Sequence, residues 1–205
     1  MTMTTLILAS TSIYRKQLLE RLRIPFISES PHTDETPLAG ENPVNLAQRL
    51  AKAKALAVSA RHSHVNIDTL VIGSDQVIDL AGQAIGKPHT HEQAIQQLQT
   101  MRGRQVLVHT AVAVARCSDL KVYAALSTVS VTLRDYCDTE IETYLRLEKP
   151  YDCAGAIKSE SLGIALIERI DSSDPTSLIG LPLTDTLRLL RLFGVDILAM
   201  VKTPS

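Results

Sequence analysis

The fold is decided by residues 6–16, which read Leu6-Ile-Leu-Ala-Ser10-Thr-Ser12-Ile-Tyr14-Arg15-Lys16. The apolar run at the start predicts a short buried strand, and beyond the two cations the apolar residues take helical spacing. A turn of hydroxyl residues that opens a helix leaves backbone N–H groups free at the positive end of the helix dipole, where anions bind. Cations in the first turn would repel that end, so we expect a phosphate chain beside them. A simpler interpretation stays open, in which a serine only caps the helix and both cations are solvated.

The composition is that of an ordinary globular protein. The 205 residues are 45% hydrophobic and 21% charged, enough to bury a core in one large domain or two small lobes. A net charge of −1 gives no basic field for a nucleic-acid polymer, and 3% aromatic residues without Trp argue against a base-stacking platform. With no cationic leader, no long apolar run and three cysteines lacking a Cys-x-x-Cys pair, we expect a cytoplasmic protein without membrane contact.

An acidic loop follows the first predicted helix. Asp34 and Glu35 stand in residues 30–37 together with two prolines, so the loop is expected to be stiff as well as acidic. Mg²⁺ is often held by one or two carboxylates together with water and phosphate, which makes this loop a candidate metal ligand. Solvated loop charge is the alternative interpretation of the same residues.

The middle of the chain brings further polar groups to predicted turns. A long helix over about 43–60 carries Lys52 and Lys54 on different faces, so at most one of them can point into a given cleft. The strand at 70–72 is expected to give way to a turn near Asp75, at the carboxyl end where open α/β sheets bind ligands. A hairpin follows, and Lys87 then stands between a glycine and a proline, placed to reach a phosphate.

The second half of the chain predicts one long hairpin, from strands over about 105–117 and 121–133. Helices are predicted over about 90–100, 138–147 and 183–193, with another strand over 162–167. Between them, Lys158 and Glu160 are expected to share one face of an extended segment.

Five groups of polar residues recur at these strand ends and turns, and together they resemble the Maf family of nucleoside triphosphate pyrophosphatases. The resemblance runs in the family's order over nearly the whole chain. The groups are Ser10/Ser12/Arg15, Asp34/Glu35, Gly73-Ser-Asp75-Gln76, Gly86-Lys87-Pro88 and Lys158-Ser-Glu160.

Within that family, Gly-Ser-Asp-Gln at 73–76 and Lys-Ser-Glu at 158–160 resemble the 7-methyl-GTP pyrophosphatase subgroup. The dTTP/UTP subgroup instead tends to have Thr after the Asp. Tyr14 matches an aromatic position where Trp is usual. The resemblance implies that Asp75 is the proton acceptor and that substrate choice rests on Tyr14, Gln76 and Glu160. The sequence departs from the family pattern at Ala53, where a Glu usually precedes the lysine.

Cleavage of a triphosphate between the α and β phosphorus atoms needs a positioned water, a base and cations that bind the leaving diphosphate. We expect Asp75 to be the base, with Arg15 and Lys87 as catalytic cations. Glu35, with Asp34 as second choice, would help Asp75 to hold Mg²⁺ or Mn²⁺. The expected phosphate-binding residues are Ser10, Arg15, Lys54, Lys87 and Lys158.

The expected base contacts follow from the chemistry of N7-methylguanine, which carries a positive charge. Tyr14 would stack on that cation, Glu160 would accept hydrogen bonds from the N1–H and the exocyclic amine, and Gln76 would add an amide contact.

The overall expectation is an α/β fold with a mixed twisted sheet flanked by helices. The resemblance implies two lobes around a cleft, similar to the inosine-triphosphate pyrophosphatase (Maf/Ham1-like) fold, in one domain over residues 1–205 that commonly forms a homodimer. The expected function is hydrolysis of N7-methyl-GTP to N7-methyl-GMP and diphosphate. Two alternatives remain: a pyrophosphatase for dTTP, UTP or other modified nucleotides, and a nucleotide-binding regulator of cell division.

Overall fold

The structure is a computed structural model that describes residues 4–64 and 68–200. Its strands are β1 (Thr5–Ala9), β2 (Ile27–Glu29), β3 (Thr69–Leu80), β4 (Gln83–Ile85), β5 (Gln105–Arg116), β6 (Val122–Leu133) and β7 (Ile167–Asp171). The α-helices are α1 (Ile13–Glu20), α2 (Pro43–Arg61), α3 (His91–Met101), α4 (Asp138–Glu148), α5 (Leu183–Leu192) and α6 (Ile197–Met200), and 3₁₀ turns cover Ala154–Ala156, Leu162–Leu166 and Ser177–Ile179. None of the helices in the described ranges is long and apolar enough to cross a membrane.

The described strands form one mixed sheet in the order β2-β1-β3-β5-β6-β7, with β4 paired to the end of β3. The pairs β1–β2 and β1–β3 are parallel, whereas β3–β5, β5–β6 and β6–β7 are antiparallel. The predicted α/β class with a mixed sheet and one long hairpin is therefore confirmed.

Strand β3 changes its neighbour along one edge. Its first half pairs with β1 as far as Gly73, and its last residues pair with β4 from Ile78 onward. On that edge, residues 74–77 have no strand beside them within the described chain. The chain leaves β1 at Ser10, so this gap is where the sheet opens into a cleft.

The two largest of the four apolar cores in the described chain lie on either side of that gap. The first packs β1 and the start of β3 against α1 and α5, with Leu8, Leu18, Ile72, Leu189 and Leu190 among its buried residues. The second packs the end of β3 and parts of β5 and β6 against α3 and α4, with Leu98, Met101, Val129, Tyr136 and Ile141 among its buried residues. Because the long strands run through both cores, the two halves share one sheet and flank the cleft.

Helix α2 lies against the sheet unusually closely at Gly73. A Cβ atom at this position would stand 2.4 Å from the carbonyl oxygen of Ala51 and 2.5 Å from the backbone nitrogen of Ala55. Only a residue without a side chain fits there, and α2 presents alanines at the contact because they also keep the backbones close. This approach sets the distance from Lys54, on α2, to Asp75, two residues beyond Gly73.

The structure corrects three sequence-based expectations. Asp75 lies in the middle of β3 and not at its end, because antiparallel pairing with β5 continues from Leu70 to Asp79. Residues 162–166 are a 3₁₀ turn followed by β7, since Gly163 packs against the backbone of Lys158 and folds the segment back on itself. For the same reason Lys158 and Glu160 do not share the face of an extended segment.

Candidate active site

The gap in the sheet leads into a cleft of about 770 Å³ that gathers most of the sequence-predicted site residues. It draws on both halves of the molecule, from the turn after β1 to the loop after β4 and the segment after α4. The predicted residues that line it are Ser10, Tyr14, Arg15, Glu35, Lys54, Asp75, Gln76, Lys87 and Glu160. Lys158 and Asp34 are not among the lining residues.

At the floor of the cleft, the ammonium group of Lys54 lies between two carboxylates. Its Nζ donates to Asp75 Oδ1 at 2.6 Å and stands 2.6 Å from Glu35 Oε1. The lysine side chain is only 5% exposed and Asp75 is 6% exposed, whereas Glu35 reaches in from the acidic loop and is half exposed. The two residues expected to bind a metal are therefore close to one another, and a protein cation already bridges them.

The two carboxylates respond differently to this setting. Burial raises the pKa of Asp75 above its usual range, and the positive charges of Lys54 and Arg15 only partly oppose that effect. Burial also acts to raise the pKa of Glu35, but the hydrogen bond and charge of Lys54, together with the charges of Lys87 and Arg15, outweigh burial, and the net shift is downward. The pKa of Asp75 is thus shifted upward and that of Glu35 downward, and the upward shift suits a group that must take a proton.

Arg15 is anchored toward the cleft and is not solvated. Its Nε donates to the carbonyl of Gly180 at 2.8 Å, and its Nη1 lies 3.5 Å from Ser10 Oγ. Ser12 caps α1 by accepting from the backbone N–H of Arg15 at 3.5 Å, while Lys16 faces solvent. The simpler interpretation thus holds for Ser12 and Lys16, and the anion-site interpretation fits the placement of Ser10 and Arg15.

The Gly180 carbonyl also lies 3.0 Å from Ser74 Oγ, whose single proton it shares with the Ala111 carbonyl at 2.8 Å, so one backbone atom connects β3 to Arg15. Gly180 has a φ of 122°, a conformation that residues with a side chain rarely adopt. The sequence predicts the helix that follows Gly180 but not this contact. Only the positive φ that a Gly-x-Pro turn permits would have hinted at it.

The side-chain amide nitrogen of Gln76 donates its hydrogen bonds to other atoms of the protein. Its Nε2 lies 3.0 Å from each of three acceptors, namely Thr110 Oγ1 and the carbonyls of Ser177 and Leu178. Two of these are carbonyl oxygens, which cannot donate, so the amide must point its nitrogen toward them. The atom of Gln76 left for a ligand is therefore Oε1, which accepts hydrogen bonds.

At the other end of the cleft, Tyr14 stands beside Lys158 and Cys153. The Lys158 Nζ lies 5.7 Å from the centroid of the Tyr14 ring and 2.9 Å from Glu148 Oε1. Cys153 Sγ lies 4.0 Å from the Tyr14 hydroxyl. Burial raises the pKa of both Tyr14 and Cys153, that of Cys153 to about 11, so both are neutral near pH 7.

The geometry of Glu35 and Asp75 fits a divalent cation. The described residues contain no group of three or more His, Cys, Asp or Glu side chains that could hold a metal by themselves. Mg²⁺ in nucleotide sites commonly takes only one or two carboxylates and completes its shell with water and phosphate oxygens. Glu35 and Asp75 already bind one cation, the Lys54 ammonium, so their oxygens converge as such a site requires. Asp34 does not converge with them, because it is exposed and accepts from the N–H of Thr36 at 2.9 Å.

Comparison with known proteins adds independent information. The model of the family described as Maf-like protein matches residues 5–193. A 7-methyl-GTP pyrophosphatase of Polaromonas sp. is 53% identical over 194 residues, which cover 95% of this chain and 87% of that protein. Enzymes of the same name from Albidiferax ferrireducens and Thiobacillus denitrificans are 52% and 48% identical, over 94% and 97% of this chain and 95% and 97% of their own lengths.

Among solved structures, a nucleoside-triphosphatase / dITP/XTP pyrophosphatase from Mycobacterium abscessus matches with a TM-score of 0.37 and 14% identity. The match covers 65% of this chain and 74% of that one, a likeness too slight to bear on this chain's activity.

Proposed function

Because this chain belongs to the Maf family, we propose that it is a 7-methyl-GTP pyrophosphatase, which hydrolyses N7-methyl-GTP to N7-methyl-GMP and diphosphate. The structural observation that carries the proposal is the buried Asp75 on the cleft floor, held with Glu35 by one lysine. Relatives of about the same length and roughly half identical in sequence bear the name of this activity.

The chemistry begins with a water molecule beside Asp75. The carboxylate takes a proton from that water while the water oxygen forms a bond to the α phosphorus. The bond from the α phosphorus to the bridging oxygen breaks, and diphosphate leaves with the electron pair. Arg15, Lys87 and the Ser10 hydroxyl would bind phosphate oxygens, where donors fixed in advance stabilise the charge that develops.

A divalent cation, Mg²⁺ or Mn²⁺, would be held by Glu35 and Asp75. It would supply neutralisation of phosphate charge and a lower pKa for a water molecule at the site. Lys54 would then release the carboxylates and donate to phosphate oxygens, which reconciles its position in the structure with a phosphate-binding role.

The base would lie at the Tyr14 end of the cleft. Stacking of N7-methylguanine on the ring would contribute about 0.5–2 kcal/mol as a cation–π contact. Glu160 would accept from the base N–H groups, and Gln76, whose Nε2 is engaged, would also act there as an acceptor. A phosphate role for Lys158 stays a prediction, since its ammonium must leave Glu148 to make that contact.

We also propose that residues 1–205 form one domain, that the chain works in the cytoplasm and that it forms a homodimer. Light scattering on the purified chain tests the last point, with twice the mass of one chain as the expected result.

A substrate panel tests the proposed activity. Diphosphate release would be measured with Mg²⁺ or Mn²⁺ from 7-methyl-GTP, GTP, dTTP, UTP and CTP. Selective turnover of 7-methyl-GTP supports the proposal. Preference for dTTP or UTP would move the chain to the other subgroup, and tight binding without any turnover would make it a regulator.

A further inference from the structure

At the Tyr14 end of the cleft, negatively charged side chains outnumber the positively charged groups that pair with them. Asp152 and Glu160 both line the cleft, both are exposed, and neither forms an ion pair with any described residue. The cation between them in sequence, Lys158, is bound by Glu148 at 2.9 Å, and Glu148 also accepts from Ser161 Oγ. This end of the cleft therefore keeps two uncompensated negative charges.

Asp152 is close to the ring on which the base would stack. Its Oδ1 lies 3.6 Å from Cys153 Sγ, and that sulfur lies 4.0 Å from the Tyr14 hydroxyl. The charge of Asp152 adds to burial in raising the pKa of Tyr14, so its field reaches the ring. No sequence motif singled out this residue, because its place beside Tyr14 depends on how the turn after α4 folds.

We propose that Asp152 is a further specificity-determining residue, whose carboxylate acts with Glu160 to favour the cationic N7-methylguanine base over neutral guanine. The inference rests on the proposed function and names what distinguishes the substrate from GTP. Methylation at N7 adds a positive charge that spreads over the purine, whereas the rest of the nucleotide is unchanged. A nearby carboxylate attracts that charge without needing a hydrogen bond to the base.

The other charged groups facing this end do not cancel the effect. Lys158 would repel a cationic base, but its partner Glu148 offsets that repulsion. Lys87 lines the cleft too, on the loop after β4 that we assign to the phosphates. A truncated or unpaired Glu148 would remove the offset and weaken the preference.

The experiment compares two substrates of the same shape and different charge. These are 7-methyl-GTP and 7-deaza-7-methyl-GTP, in which carbon replaces the methylated nitrogen and the base is neutral. Both would be assayed at mildly acidic pH, where the methylated base keeps its N1 proton and its net positive charge. The variants are Asp152→Asn and the matched control Asp135→Asn, an exposed Asp outside the cleft lining whose replacement changes the net charge equally.

We expect Asp152→Asn to lower the ratio of kcat/KM for the charged substrate to kcat/KM for the neutral substrate by about 2- to 10-fold. The effect is of this size because the variant removes one charge that is partly screened by solvent. Turnover of the neutral analogue should stay unchanged, which also shows that the variant is folded. The wild-type ratio should fall as salt is added, and that dependence should be weaker in Asp152→Asn.

An unchanged ratio in Asp152→Asn, or an equal drop in Asp135→Asn, would overturn the assignment of Asp152. Either result would leave the proposed function intact if the wild type still prefers 7-methyl-GTP over GTP. Failure of the wild type to hydrolyse 7-methyl-GTP would instead overturn the proposed function itself, and this inference with it.

Discussion

At the scale of single residues, burial and neighbouring cations act on Asp75 in opposite directions. Removal from water raises its pKa. The positive charges of Lys54 and Arg15 lower the pKa again but do not fully reverse that rise. A carboxylate with an ordinary pKa near 4 is a weak base at neutral pH, so the upward shift brings Asp75 closer to what proton transfer requires.

Replacement of Asp75 by Asn should lower kcat by about 10²–10⁴-fold, because the amide cannot accept the proton from water. Nucleotide binding in the absence of divalent metal, measured by calorimetry, should be largely kept, since the phosphate-binding cations of the protein remain. The matched control is Asp79→Asn, a change of the same kind four residues along β3 and outside the cleft lining. Full activity in Asp75→Asn would show that another group is the base.

The dependence of kcat/KM on pH should reflect the pKa of Asp75. The base works only when deprotonated, so kcat/KM should rise with pH through a pKa above the usual value for Asp. Removing the Lys54 charge in Lys54→Met should raise that pKa further and move the acid limb to higher pH. Lys52→Met, on an exposed face of α2, should leave the limb in place. A limb that moves to lower pH in Lys54→Met would contradict the electrostatic account.

Lys54 should also compete with divalent metal in the free protein, because its ammonium lies between the two candidate ligands. Lys54→Met should therefore bind Mn²⁺ at least about tenfold more tightly in the absence of nucleotide, as seen by electron paramagnetic resonance. Lys52→Met again serves as the control. Equal Mn²⁺ affinity in wild type and Lys54→Met would mean that the metal does not use the Glu35–Asp75 pair.

At the scale of elements, the close approach of α2 to β3 sets the position of Lys54 relative to Asp75 on the floor of the cleft. Gly73→Ala should lower the free energy of unfolding by about 2–3 kcal/mol or more, because the added Cβ would collide with backbone atoms of α2. These atoms can move away only if the helix moves with them. Gly86→Ala, whose added Cβ meets nothing within 4 Å, should change it by less than about 0.5 kcal/mol. Denaturant unfolding measures both. A mild effect of Gly73→Ala would mean that the helix can shift outward.

The elements with strong periodicity were predictable from sequence. The helix at 43–60 and the hairpin of β5 and β6 are confirmed within a residue or two, because one apolar stripe or alternation governs each. The full length of β3 was not predictable from the sequence, since it depends on pairing with β5, a strand far along the chain. The turns between 151 and 166 were missed because they depend on tertiary contacts such as that of Gly163 with Lys158.

The site residues were predictable as a set but not in their partners. Nine of the residues that the sequence and its family resemblance single out line the cleft. They could not show that Lys54 binds two carboxylates or that Gln76 has no donor to spare. Asp152 follows no motif, so only the fold reveals its position beside Tyr14.

At the scale of the whole molecule, one sheet carries the two largest apolar cores and leaves a gap between them. The turn after β1 and the loop after β4 flank the gap, so cations from both sides can meet on one triphosphate. In the proposed function, the base would lie where the segment after α4 comes close to Tyr14 of α1. In the proposed reaction, attack at the α phosphorus would require Asp75 to lie between the bound base and the leaving diphosphate.

The measurement that tests this account most directly is hydrolysis of 7-methyl-GTP in ¹⁸O-labelled water, with mass spectrometry of both products. Attack at the α phosphorus predicts that the label enters 7-methyl-GMP and is absent from diphosphate, and that the reaction of Asp75→Asn is slower by about 10²–10⁴-fold. Label in the diphosphate, or stepwise release of inorganic phosphate through 7-methyl-GDP, would contradict the account.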